Sequence, residues 1–143
     1  MKIDAAKLRE FAERYTAAWC SHDAARVAAC YSPNGSLRVN DAAPAVGRSD
    51  ITAAAQEFMT TFPDMIVAMD NLVIQEDRAV FHWTLTGTNT GPGGMGKRVR
   101  ISGFEEWEFG ADGLIARSLG HFDSAEYQRQ LERGDVSGSI SRV

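Results

Sequence analysis

Between Val99 and Asp123 the chain alternates as a strand pair must. Ile101, Gly103, Glu105, Trp107 and Phe109 fall on one side, and Arg100, Ser102, Phe104, Glu106 and Glu108 on the other. A carboxylate therefore sits in the middle of an apolar face. An unpaired acid in such a place is costly and tends to keep its proton, whereas Glu106 and Glu108 can ionise in water. Gly110-Ala111-Asp112-Gly113 reads as the connecting turn. A four-residue turn sets Phe109 opposite Leu114, Glu105 opposite Ser118 and Gly103 opposite Gly120, so that Ala116, Ser118, Gly120 and Phe122 share the face of the acid. A register one residue off would bring Ile115, Arg117, Leu119, His121 and Asp123 there instead, and turn chemistry fixes register only loosely. In the first register small residues surround Glu105 and leave room for something that is not protein.

The rest of the chain bounds what that something is. With 143 residues the chain suits one domain that buries roughly two thirds of its unfolded surface. Residues 1–133 are expected to form it, and the polar, Gly- and Ser-containing stretch 134–143 to be a poorly ordered tail. A net charge of −4 without a Lys/Arg cluster argues against nucleic acid and against anionic membrane surfaces. No apolar run approaches a membrane span, and Met1-Lys2-Ile3-Asp4 opens an amphipathic helix, so a cytoplasmic protein is expected. Cys20 and Cys30 lack partners at metal-ligand spacing, and His22, His82 and His121 are scattered, so no metal or organic cofactor is expected.

In chain order, Leu8, Phe11, Ala12, Tyr15, Ala18 and Trp19 mark the buried stripe of a helix over 4–21. Tyr15 either packs in the core or points its hydroxyl into a cavity. A second short helix is expected through Val27, Cys30 and Tyr31, stopped by Ser32-Pro33-Asn34-Gly35, then a brief strand over 36–40 and a loop from Asp41 to Gly47. Ser49 is a plausible cap for a third helix carrying Ile51, Ala54, Ala55, Phe58 and Met59. Asp64, after Pro63, suits a carboxylate that bonds nearby backbone amides. Strands follow over 65–75 and 79–89, the latter with Phe81, Trp83, Leu85, Gly87 and Asn89 on one face and His82 and three threonines on the other. Asp123 and Glu126 have the spacing of a capping box for a last helix over 124–133. Helices gathered on one face of a sheet make an α+β domain. A curved sheet wrapped around the first helix would enclose Tyr15, Trp19, Phe58, Phe81, Trp83, Glu105, Trp107, Ser118 and Phe122 together.

That element order, with Gly47-x-x-x-Ile51, Phe62-Pro63-Asp64-Met65, Gly87-Thr88-Asn89-Thr90-Gly91 and Asp112-Gly113-Leu114-Ile115 ending at Asp123, resembles SnoaL-like members of the nuclear transport factor two-like superfamily over roughly residues 8–133. The resemblance implies a cone-shaped fold, a curved antiparallel sheet wrapped around the N-terminal helices. It also implies a homodimer through the outer sheet face, where His82, Thr84, Arg100, Phe104 and Glu106 lie. Residue by residue, Tyr15 falls where ketosteroid isomerases have an oxyanion-donating tyrosine, and Glu105 where they have a protonated acid. The isomerase base falls at Val39, which takes no proton, and Asp41 is the neighbour able to substitute. The catalytic aspartate of SnoaL-type cyclases corresponds to Gly120, and Asn89 stands where the family often has histidine.

Two readings stay open from the sequence. One is an enzyme acting on a small apolar carbonyl compound by isomerisation, cyclisation or dehydration, with Tyr15 and neutral Glu105 stabilising an enolate, Asp41 as base, and Trp19, Phe58, Met59, Phe81, Trp83, Asn89, Trp107, Ser118 and Phe122 around the ligand. The other is a binding or dimerisation module of the same fold without turnover, in which Glu105 bonds Tyr15 or Ser118.

Overall fold

Helix α1 (Ala5–Cys20) begins where Asp4 accepts hydrogen bonds from the amides of Ala6 (2.9 Å) and Lys7 (3.3 Å), and it buries the stripe expected of it, Leu8, Phe11, Ala12, Tyr15, Ala18 and Trp19. The computed structural model describes residues 4–76 and 78–135, so the tail expected from Gly134 lies, from residue 136 on, outside the described residues. After α1 come α2 (Ala24–Ala28), β1 (Tyr31–Val39), β2 (Ala45–Val46), α3 (Gly47–Thr61), β3 (Ile66–Gln75), β4 (Arg78–Thr88), β5 (Arg98–Phe109), β6 (Ile115–Phe122) and α4 (Ser124–Arg133). The six strands form one curved open sheet in the order β2-β1-β6-β5-β4-β3, and the domain is α+β as expected.

The sheet is not wholly antiparallel. β1 pairs with β6 in parallel, because the whole of residues 40–114 acts as the crossover between them. Three local expectations are corrected. Ser32-Pro33-Asn34-Gly35 does not end a helix; it is an irregular stretch within β1, where the register slips between Tyr31 and Ser36. Gly35 is needed there, since a Cβ would stand 2.8 Å from the Ile115 carbonyl oxygen. Ala45 and Val46, read as loop, pair with Leu37 and Ser36. Ser49 lies inside α3, whose N-cap is Val46 with no side-chain cap. Asp64 does what its position suggests, accepting from the Thr88 amide (2.7 Å) and hydroxyl (2.9 Å).

The β5–β6 hairpin carries the decisive register. Glu105 faces Gly120, Trp107 faces Ser118 and Gly103 faces Phe122, an offset of two residues from the expected pairing. Two shifts of one residue add up to it: Phe109 pairs with Ile115 in place of Leu114, and Glu108 then pairs with Arg117, so that Ala116 is a bulge on β6. An offset of two preserves the faces. Ser118, Gly120 and Phe122 remain beside Glu105, while the bulge also turns Ile115 inward, where it is fully buried.

The core lies between α1 and the inner sheet face, with Tyr15, Tyr31, Phe62, Phe81 and Trp107 among its fully buried residues. On the outer face Phe104 stacks on His121 with centroids 4.7 Å apart, and His121 meets Glu106 at 2.8 Å. Gly103 is the tightest point of the hairpin near the site. A Cβ there would lie 2.3 Å from the His121 carbonyl oxygen and 2.7 Å from Cζ2 of Trp83. Gly103→Ala is expected to lower stability by about 1–3 kcal/mol through overpacking, read as a fall in the urea midpoint at unchanged slope.

Candidate functional site

Glu105 projects from the middle of β5 into the interior and is 8% exposed. Three donors converge on one of its two oxygens. Tyr15 from α1 (2.8 Å), Trp107 from β5 (2.9 Å) and Ser118 from β6 (2.9 Å) all donate to Oε1. Because the Tyr15 proton is committed to Glu105, Tyr31 is the donor in the 2.9 Å contact between the two tyrosine hydroxyls. Oε2 has no hydrogen-bond partner among the described residues.

Burial raises the Glu105 carboxyl above its ordinary value of 4.5, against the opposing pull of the bonds from Trp107, Tyr15 and Ser118. Burial likewise raises the Tyr15 and Tyr31 phenols well above 10.0, with the neighbouring Glu105 adding to it, so both stay protonated donors.

In front of Glu105 is an apolar cavity of about 60 Å³, room for one small organic group by the measure in which a single water needs roughly 10–15 Å³. Trp19 of α1, Phe58 of α3 and Tyr127 of α4 close it from the helical side. Phe81, Trp83, Leu85, Ile101, Gly120 and Phe122 form its sheet wall, and Leu37, Val39 and Val67 complete it. The Trp83 indole N–H is buried without a hydrogen-bond partner among the described residues.

The cavity gathers five of the expected ligand-contacting residues, Trp19, Phe58, Phe81, Trp83 and Phe122, around Glu105. Others fall elsewhere. Tyr15 is behind Glu105, its hydroxyl held by the acid and by Tyr31, so it positions the carboxyl and does not face the cavity. Trp107 and Ser118 are also behind it, and Met59 is buried off the wall. Asn89 is a tether: its Nδ2 donates to the Leu131 carbonyl (2.9 Å) and its Oδ1 accepts from the Lys97 amide (2.5 Å). Asp41 is not among the residues that line the cavity. Its carboxylate is fully solvent-exposed, pairs loosely with Arg38 at 3.8 Å, and lies in a separate polar groove with Asn40 and His121. The positive φ of Asn40 (52°) and the bond from the Phe122 amide to its side chain (2.9 Å) turn the chain away from the cavity just before Asp41.

The wall residues outside the expected ligand-contacting set are Leu37, Val39, Val67, Leu85, Ile101, Gly120 and Tyr127. Leu85 and Ile101 share the alternating faces of Trp83 and Glu105, so the period-two pattern carried their signal. Tyr127 is the one aromatic residue of α4, a helix fixed in place by its Asp123 cap and by Gln130 accepting from the Arg100 amide (2.7 Å). Both Val39 and Gly120, the positions equated by resemblance with the general bases of isomerases and cyclases, lie on the wall.

The profile of the SnoaL-like domain matches residues 12–118. This chain belongs to the SnoaL-like domain family. TsrD of Streptomyces laurentii superposes with a TM-score of 0.78 at 25% identity, covering 91% of this chain and 98% of that one. A SnoaL-like protein from Jannaschia sp. CCS1 gives 0.78 at 16% identity, with 92% and 96% covered. SalBIII, an epoxide hydrolase/cyclase-like enzyme in pyran ring formation in the polyether salinomycin, gives 0.74 at 15%, with 86% and 95% covered. No curated protein sequence matches the chain. Within this SnoaL-like fold no helix of the described residues is long and apolar enough to cross a membrane, and no three His, Cys, Asp or Glu side chains gather where they could hold a metal ion.

The raised Glu105 pKa has a testable sign. Below about pH 4.5 the acid is protonated folded and unfolded alike, and folding carries no penalty from it. As pH rises, the unfolded chain releases the proton while the folded chain keeps it, so stability falls by up to about 1.4 kcal/mol per pH unit until the folded acid ionises. Glu105→Gln keeps an Oε1 for the three donors and removes the titration. Urea unfolding of both proteins from about pH 5 to 8 should show their stability difference moving toward the variant as pH rises.

Proposed function

We propose that this SnoaL-like protein binds a small, largely apolar molecule bearing a carbonyl or ether oxygen, with the neutral Glu105 carboxyl donating its proton to that oxygen. The observation that carries the reading is the division of labour at Glu105: Oε1 is saturated by three protein donors and Oε2 is left free in a residue that lines the cavity. A proton on Oε2 is thereby directed to the ligand.

The chemistry open to such a site is general-acid activation, the proton transfer shared by dehydration, ring opening and cyclisation of small oxygenated compounds. SalBIII, of the same fold, is described as epoxide hydrolase/cyclase-like, which suits this class. Enolate formation by a separate base is supported less well, because Asp41 is outside and the wall carries Val39 and Gly120 at the two candidate positions. The same observation favours a second reading, binding without turnover.

Phenol, a small aromatic with one oxygen, is the probe. Its binding, followed by quenching of tryptophan fluorescence, is expected to saturate. Gly120→Leu is expected to weaken it at least about tenfold: a Cβ at 120 meets only ordinary contacts, 3.4 Å from the Arg38 oxygen and 3.7 Å from Glu105 Cγ, so the larger side chain enters the cavity in a folded protein. Glu105→Gln, which keeps a donor at the free position, should bind phenol within a few-fold of the parent. Unsaturable binding, or binding indifferent to Gly120→Leu, rejects the cavity as the site. A screen of small ketones and epoxides then separates the two readings: acid catalysis requires turnover that falls by about a hundredfold or more in Glu105→Gln.

A further inference from the structure

The cavity brings together aromatic faces and one acid without a countercharge. Trp19, Phe58, Phe81, Trp83, Phe122 and Tyr127 line it, and Glu105 is the sole carboxyl among the lining residues, which include no Arg, Lys or His. The faces of aromatic rings attract organic cations, most strongly where water is excluded. The groups facing Glu105 from the packed elements are Tyr15 of α1, Tyr31 of β1 and Tyr127 of α4, all phenols whose burial keeps them neutral. Three hydrogen bonds converging on Oε1 are an arrangement that favours an ionised carboxylate. Only the removal of water opposes ionisation, and no positive group of the cavity wall answers it.

We infer that the cavity also binds a small quaternary ammonium head group, held between the aromatic faces and the carboxylate of Glu105. The inference rests on the reading that this cavity is the ligand site, and adds to it a second ligand class, told from the first by charge. The step is an exchange of positive charges: the O–H bond of the Glu105 carboxyl breaks, its proton leaves to solvent, and the ammonium group takes its place as the partner of the carboxylate. A neutral oxygenated ligand leaves the proton where it is. At about 60 Å³ the cavity suits a head group of a few heavy atoms.

Choline and its uncharged carbon isostere 3,3-dimethylbutan-1-ol have nearly the same shape and differ in charge. Isothermal titration of the full chain with each is expected to give choline at least about tenfold the affinity of the isostere. Repeated in two buffers of different ionisation enthalpy, it should show proton release on choline binding and none with the alcohol. Choline affinity should rise by up to about tenfold per pH unit until Glu105 is ionised in the free protein. Glu105→Gln should abolish the preference for choline over the isostere, and Gly120→Leu should lose both choline and phenol. Choline binding no tighter than the isostere, a preference that survives Glu105→Gln, or choline binding that survives Gly120→Leu each overturns the inference. Phenol binding without choline binding overturns it alone; loss of both overturns the ligand site itself.

Discussion

The interaction on which the rest depends is the triple hydrogen bond to Oε1 of Glu105. Its donors come from three elements: Tyr15 from α1, Trp107 from β5 and Ser118 from β6. Each is buried, and a buried donor left without an acceptor costs about 1–3 kcal/mol. The acid and its donors therefore require one another, and together they fix the rotation of α1 on the sheet and the register of β6 against β5. Tyr31 extends the constraint to β1 through its bond to Tyr15. The bonds that hold the carboxyl in place all fall on one oxygen and leave Oε2 without a partner among the described residues.

Much of the architecture was legible because it rests on periodicity. The stripe of α1, the faces of β4 and β5 and the Asp123 cap each follow from spacing that only one secondary structure satisfies. The face of Glu105 is the same in both registers because strands repeat every two residues: the longer turn moves the pairing by one and the bulge at Ala116 by one more. The irregular start of β1 was not legible. Pro33 and Gly35 are turn residues by local preference, and only the long-range pairing of Tyr31 with Ile115 makes them part of a strand. For the same reason the parallel β1–β6 contact, between segments far apart in sequence, left no local trace.

The site divides along the same line. Phe81, Trp83 and Glu105 could be placed on one wall because neighbouring antiparallel strands share a face, but depth is not written in alternation. Tyr15, Trp107 and Ser118 point the right way and are spent on the acid before any ligand reaches them. Asp41 was inviting by proximity in sequence to Val39. The left-handed backbone of Asn40 and its bond to the Phe122 amide, both products of packing against β6, carry Asp41 outside. Asn89 likewise looked like a ligand contact and is a brace, holding the end of α4 across the strand ends so that Tyr127 can cap the cavity.

The pairing of Glu105 with Gly120 has an evolutionary consequence. Every glycine codon and every valine codon becomes an acidic one by a single change at its second base. A Cβ at Gly120 meets only ordinary contacts and emerges beside the Glu105 carboxyl, while Val39 already presents a side chain to the same space. A second carboxylate, and with it a two-acid chemistry, is one nucleotide away at either position. The scaffold that holds a single acid among aromatic rings is thus adjacent in sequence space to catalysts of a different kind.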